Sequence, residues 1–398
     1  MKKIGIILLI LVLLAAAGVY VFRFEIFQVS AEKIIKDNLP SYIFVDKIDF
    51  DLEKETMKVS GIGIKNPAGY GDRYLASIDS VLCDYRMKGR SILDGIEITD
   101  ISAEGVLIKV ERLSGGKMNV NEMDTVMSSG GDKGSARGDA DKTSSKTSGE
   151  KSAGKFDITR LIKLTETVKV RSGKLIFLDE DLPGPSLYRL TIDNITSDIT
   201  LKLTKDYRGV EMVGSRGTGN INGDLLQSVN WVVSLDPRTP ALTMSNRLEP
   251  SNVEIKLLEP YYDKYSPVTI ERGRFSGTLV FDFDNGNIGS MNTVTLSDLV
   301  FRQKTDFRGA MFWDAAIPDI IKYLQSSPGQ LTFDFKIKGN MENPKFYPGP
   351  VVKAAIQNMA IDKISELIQK PGEGAENAGG EMSDTEKVMS VIKGLMQK

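Results

Sequence analysis

The sequence predicts a mainly β protein: an elongated antiparallel β-sheet shaped into a groove, with a few amphipathic helices and one N-terminal transmembrane helix. Three observations carry this. Segments that alternate apolar and polar residues recur along most of the 398 residues. A charge-free apolar run stands close to the N-terminus. Helical spacing of apolar residues is confined to a few short stretches.

The apolar run is the first element. Lys2 and Lys3 precede Ile4–Phe22, 19 residues without a charge, which as a helix extend roughly 28 Å, close to the thickness of a bilayer's hydrocarbon. Ile4, Leu8, Leu11, Leu14, Val19 and Phe22 are its membrane-facing residues, Arg23 ends it, and Tyr20, Phe22 and Phe24 place aromatic rings at the far interface. Two lysines ahead of the run favour an N-terminus left in the cytoplasm and a body on the other side. The alternative is a signal peptide cleaved after Ala15-Ala16-Ala17; the run continues past that site to Phe22, so a retained anchor over residues 1–24 is preferred.

Residues 25–127 read as an α+β region. Ser30–Asn38 has a helix's N-cap and Pro40 as its stop. Strands follow. Ile48, Phe50 and Leu52 alternate with Asp49, Asp51 and Glu53, then Met57, Val59, Ile62 and Ile64 run to Asn66-Pro67. Ser77–Tyr85, Ile96–Ile101 and Val106–Val110 continue the pattern, giving a sheet with one apolar face. Residues 128–155 break it: 28 residues hold seven Ser and six Gly and no Val, Ile, Leu, Met, Phe, Trp or Tyr. Such a composition cannot offset its ordering entropy, so it is expected to be a disordered linker.

Residues 156–369 are again β-rich, with strands expected at Lys174–Leu178, Leu190–Ile192, Ile199–Leu203, Val210–Val213, Asn230–Leu235, Asn252–Leu257, Thr278–Phe283, Thr293–Phe301 and Gln330–Lys338. In the last, Leu331, Phe333, Phe335 and Ile337 face one way and Thr332, Asp334, Lys336 and Lys338 the other. Helical spacing appears in Ile158–Glu166, in Phe312–Leu324 around Pro318, and in Val351–Ile368. A flexible segment, residues 370–383, precedes a helix over 384–398 whose apolar face (Val388, Met389, Ile392, Leu395, Met396) suits a membrane or a partner. Three segments opening at Gly173, Gly277 and Gly329 share Gly-x-Leu-x-Phe and suggest repeated hairpins, each with a glycine opening a strand.

Composition restricts the function. With 51 basic and 53 acidic residues the net charge is −2, which supplies no field to attract nucleic acid. The chain has no histidine and a single cysteine, which removes the commonest proton-transfer group, His-ligated metal sites and an internal disulfide. Gly217–Gly223 has the wrong spacing for a dinucleotide loop and no helix after it, so it reads as a turn between strands. Asp282–Asn287 has its glycine misplaced for a calcium loop, and Asn285-Gly286 instead suits a type I′ hairpin. Asp179-Glu180-Asp181 before Pro183-Gly184-Pro185 reads as a solvated turn. No Gly-x-Ser-x-Gly elbow is present. The expectation is a protein that is not an enzyme and takes no cofactor or metal.

Val59–Met123 carries an Asn-Pro strand end at Asn66-Pro67, a Ser-Ile-Leu-x-Gly stretch at Ser91–Gly95 before a strand pair, and a closing Gly-x-x-Asn at Gly116–Asn119. Gly273–Ile368 passes from Gly329-Gln330-Leu331 through Phe335–Gly339 to Asn343-Pro344-Lys345-Phe346 and an amphipathic helix. This order resembles the AsmA family over about two-thirds of the chain. The resemblance implies an inner-membrane-anchored, single-pass protein with its body in the periplasm, related to bridge-like lipid transfer proteins, with membrane phospholipid and envelope proteins as its partners. At about 4.8 Å per strand a sheet of this size is short for crossing a periplasm alone. The expected activity is the shielding of acyl chains in a β-groove lined by Ile48, Phe50, Leu52, Leu331, Phe333, Phe335 and Ile337, in support of outer-membrane assembly. A non-catalytic envelope scaffold is the alternative.

Overall fold

The structure is a computed structural model that describes residues 32–33, 36–37, 39, 41–51, 53–88, 96–123, 162–163, 167–182, 187–203, 210–263, 268–304, 325–327, 329–341, 343–355 and 358. These residues are mainly β, in open mixed sheet. The run Ile4–Phe22, the linker 128–155 and everything after residue 358 lie outside them. Among the described residues no helix is long and apolar enough to cross a membrane.

The chain divides into two compact units. The first, residues 1–181 and 185–209, contains β1 (Ile43–Asp51), β2 (Thr56–Lys65), β3 (Tyr74–Met87), β4 (Ile96–Arg112), β5 (Ile162–Lys163), β6 (Thr167–Asp179) and β7 (Tyr188–Leu203). Strands β1 to β4 form an antiparallel meander; β6 follows β4 in the sheet and β7 follows β6. The expectation of a purely antiparallel sheet is corrected here, because β5 and β6 both run parallel to β4. Parallel neighbours need a long crossover rather than a hairpin, and the polar stretch 128–155 falls within that connection. The helical spacing of Ile158–Glu166 is also overridden: Ile162 and Lys163 pair with Ile96 and Glu97 at the free edge of β4.

The second unit, residues 182–184 and 210–398, contains β8 (Val210–Ile221), β9 (Ser228–Asp236), β10 (Thr243–Ser251), β11 (Val253–Glu254), β12 (Val268–Asp284), β13 (Asn287–Gln303), β14 (Gln325–Ser327), β15 (Gln330–Asn340) and β16 (Lys345–Pro348). Its strand order is β8-β9-β10-β12-β13-β15-β14, with β11 on β12 and β16 on β15. The expected strand Asn252–Leu257 shrinks to β11, because a 3₁₀ turn begins at Ile255 and a single α-turn follows over Glu259–Tyr262. The pairs expected as Leu190–Ile192 and Ile199–Leu203 merge into β7. Gly217–Ile221 is strand, and the reversal after it is made by Asn222 and Gly223, at φ 50° and 73°. Asn285 and Gly286, at φ 46° and 80°, form the two-residue turn that pairs Asp284 with Asn287, as their sequence requires.

One end of the first unit is closed by a polar corner. Asn119 is fully buried. Its Oδ1 accepts from the Glu111 N–H at 3.0 Å, and its Nδ2 donates to Asn66 Oδ1 at 3.1 Å and to the Lys109 carbonyl at 2.8 Å. Asn66 and Asn119, which belong to the Asn-Pro and Gly-x-x-Asn stretches, therefore meet directly. Next to them Arg112 reaches Asp179 at 3.3 Å and Asp181 at 2.7 Å, and Asp181 accepts from the Gly115 N–H at 2.8 Å. Asp179 is 1% exposed and Asp181 is partly buried while Glu180 stays exposed, so the expectation of a solvated turn is corrected for Asp179 and Asp181 and holds for Glu180. An arginine one strand away pairs with both aspartates.

Candidate functional site

The sequence-nominated residues lie on strands whose neighbours repeat the same chemistry. In a sheet, directly opposed residues share a face, so ladder register converts isolated alternation into rows. In the first unit Ile48 opposes Val59, Val59 opposes Val81, Val81 opposes Ala103, and Ala103 opposes Val170. A second row joins Val45, Ile62, Ile78 and Val106, then Gly173 and Ile195. A third runs Ile43, Ile64, Ala76, Ile108, Leu175, Ile192, and a fourth opens Phe50, Met57, Cys83, Ile101. None of these positions is charged. The intervening rows are polar, as in Lys47, Ser60, Ser80, Glu104 and in Asp49, Lys58, Leu82, Ser102, Lys169, Asp198.

The apolar rows share an irregularity. In each strand two residues, not one, separate the halves: Val45 to Ile48, Val59 to Ile62, Ile78 to Val81, Ala103 to Val106, Val170 to Gly173, Ile192 to Ile195. A strict pleat would send the halves to opposite faces. Burial shows that the phase slips instead: Val45 and Ile48 are buried with Asp46 and Lys47 exposed between them, and Val170 and Gly173 are buried around exposed Arg171 and Ser172. The left-handed residues of these strands fall at the slip, Gly61 at φ 63°, Gly105 at 65° and Asn194 at 53°. At Gly105 a Cβ would fall on the Asp79 side chain, so this glycine is needed for close approach as well as for its φ.

Burial along the rows is uneven. Ile48 is 1% exposed and Val45, Cys83, Ala103 and Val170 are buried, yet Phe50, Met57, Val59, Ile62, Ile78, Val81, Val106, Ile108 and Leu175 are only partly covered. No charged side chain stands among them, and the Cys83 thiol is pushed up to about 11, first by burial and then by Asp84 and Asp100. Leu52 lies outside the described residues, as do Ile4, Leu8, Leu11, Leu14, Val19 and Phe22.

The second unit has a comparable face with polar interruptions. Leu331 and Ile337 are buried, while Phe333 and Phe335 are partly exposed and stack at 6.2 Å between ring centroids. Leu331 belongs to a closed cluster with Val294 and Leu296, against which Ile255, Phe275, Leu279 and Phe333 pack. Phe335 stacks further on Phe346 at 6.5 Å, and Phe346 is 63% exposed. Asn292, on the row of Leu279 and Phe335, is fully buried and accepts from the Val280 N–H at 3.0 Å while donating to Ser290 Oγ at 2.8 Å. Ser290 Oγ also accepts from the Ile337 N–H at 2.7 Å.

Asp334, expected on the face opposite Leu331 and Ile337, is itself buried, at 4% exposed; its carboxylate accepts from the N–H groups of Val351 at 3.0 Å and Val352 at 3.2 Å, capping the helical residues 350–355. Val352 and Ala355 of that helix are buried. The strands β10, β14 and β16 and the phase slip are absent from the sequence reading; the slip is nevertheless written in it as three-residue apolar spacings. Among the described residues no group of His, Cys, Asp and Glu is placed to hold a metal ion. The chain matches no protein-family model and no curated protein.

Proposed function

We propose that this chain is a membrane-tethered, non-catalytic lipid-binding protein that shields phospholipid acyl chains on the apolar faces of its sheet. The observation that supports it is the set of charge-free rows in the first unit, two of which cross six strands, and which stay partly uncovered. An uncovered face of that kind costs free energy in water at about 25 cal/mol per Å², and contiguous apolar surface on a soluble body marks a binding site. Acyl chains supply the complement: long, flexible, apolar and without groups that need hydrogen bonds. The AsmA-like order of motifs supports the same reading and, with the apolar run Ile4–Phe22, an inner-membrane anchor, a periplasmic body and a role in outer-membrane assembly.

A second reading, an envelope scaffold, draws on the closed cluster around Val294, Leu296 and Leu331. Native mass spectrometry of the full chain extracted in mild detergent separates the two. Co-purifying phospholipid, and displacement of it by a fluorescent fatty acid, are expected. Lipid-free protein that leaves a fluorescent phospholipid unprotected refutes the lipid reading and favours the scaffold.

A further inference from the structure

The most exposed large hydrophobic side chains among the described residues stand together at one loop. Leu225 is 75% exposed and Leu226 72%, in the connection between β8 and β9. This exposure is imposed by structure. Ile221 N–H donates to the Gln227 carbonyl at 3.0 Å, Asp224 N–H to the Ile221 carbonyl at 3.0 Å and Gln227 N–H to the Asp224 carbonyl at 3.0 Å. The Asp224 carboxylate accepts from Leu226 N–H at 2.9 Å and Gln227 Nε2 at 2.9 Å, and these bonds, Gln227 first, hold its pKa below the ordinary carboxylate range. From outside the loop, Asn252 Nδ2 donates to the Leu226 carbonyl at 3.0 Å, and Glu254 N–H donates to Gln227 Oε1 at 2.8 Å. Leu226 is thus pinned through both its N–H and its carbonyl while its side chain stays in water.

A loop with this many internal bonds cannot relax to cover its leucines, so their covering comes from another body. The surrounding exposed residues are Asn222, Gly223, Ser251 and Glu254, which limits the apolar patch to the two side chains. A stable protein interface takes roughly 800 Å² from each partner, several times what two leucines offer. Shallow insertion into a lipid surface needs no such area, since each leucine leaving water favours the bound state about tenfold or more. The nearest cation, Arg274, is partly buried, its guanidinium donating to the Asn252 carbonyl at 3.1 Å and its charge acting on Asp224, so little of it is offered to anionic headgroups. We infer that Leu225 and Leu226 form a membrane-contact tip that inserts into the apolar boundary of a bilayer, independently of anionic lipid. The tip is separate from the apolar rows, so its test is independent of whether those rows hold lipid.

The full chain, reconstituted into phosphatidylcholine liposomes, tests this with an environment-sensitive fluorophore on Leu226→Cys or on Leu225→Cys, Cys83 being buried. The control is Pro240→Cys, exposed in the connection at the opposite end of β9. A blue-shifted probe quenched by spin-labelled acyl chains at 225 and 226 but not at 240 is expected, undiminished in 1 M salt. Adding Leu225→Asn to the chain labelled at 226 is expected to lower the inserted fraction about tenfold. A probe that stays in water at both sites, or is quenched equally at 240, overturns the inference. So does one that shifts only when envelope proteins are added, which assigns the tip to a protein partner.

Discussion

Ile78→Lys asks directly whether the apolar face of the first unit is open. Ile78 lies on β3 in the row between Ile62 and Val106, and it is partly exposed. Full burial of such a side chain contributes about 1.5–3 kcal/mol; Ile78 realises part of that, and the lysine stem restores some of it while its ammonium reaches water. The expected cost on an open face is therefore about 1–2 kcal/mol. In a closed core the ammonium would be buried without a partner, and the cost would be of the order of 3–5 kcal/mol or more. For a unit of this size 1 kcal/mol shifts the midpoint by roughly 2–4 °C, so thermal and urea unfolding followed by circular dichroism resolve the two cases. Displacement of a fluorescent fatty acid is measured on the same sample and is expected to weaken at least tenfold, since the charge stands in the path of an acyl chain. A chain that loses more than about 4 kcal/mol refutes the reading of an open face. A stable variant with unaltered binding refutes the row as a lipid site.

Asn119→Ala removes three hydrogen bonds from a fully buried side chain and leaves the Glu111 N–H without its acceptor; a loss of about 2–4 kcal/mol in urea unfolding is expected, and a loss under 0.5 kcal/mol would show the corner to be dispensable. Asp334→Ala uncaps the helical residues 350–355; about 1–3 kcal/mol and early amide exchange of Val351 and Val352 are expected, and unchanged exchange at those two amides would count against the capping role. Cys83, with its thiol raised from 9.0 to about 11, is expected to react with a thiol reagent at pH 8 about 100-fold more slowly folded than unfolded, because the thiolate reacts. The sign follows: the folded chain keeps the proton between pH 9 and 11 while the unfolded chain releases it, so stability falls as pH rises through that window. Equal labelling rates in the two states would exclude the burial.

Strands with clean alternation were legible. Leu331 to Ile337 and Ile48 to Phe50 fall where period 2 puts them, because side-chain periodicity needs no knowledge of neighbours. β10 was not legible: Met244, Asn246 and Leu248 make a weak pattern, and the strand is held by ladders to β9 and β12 that no local window contains. The same limit explains the acids. Asp179 and Asp334 look like solvent residues from their own segments, and only a distant partner, Arg112 or the N–H groups at 351–352, makes their burial possible. The expected repeat was placed on the wrong glycines. Gly173 and Gly277 lie inside β6 and β12 and only Gly329 precedes its strand. The closer correspondence is Gly173 with Gly273, each set against an aliphatic residue, Ile195 or Leu299, that follows a left-handed Asn194 or Asp298.

That correspondence bears on why the slip recurs. An extra residue in one strand of a one-sided sheet turns half of that strand inside out, placing apolar side chains in water and charges on the apolar face. The cost vanishes only if each neighbour slips at nearly the same level, because the ladder ties opposed residues to one face. β1, β2, β3, β4 and β6 slip between the same two rows, β7 slips one row further on, between Ile195 and Ile192, and the pair β12–β13 repeats the device between Ile270 and Gly273 and between Leu296 and Leu299. The device is not special to an open sheet, because each sheet of a packed sandwich also buries one face and solvates the other. A sheet that must keep one face free of charge across its whole width needs it. The three-residue apolar spacings, which look like lapses in alternation when each strand is read alone, are what keeps that face continuous.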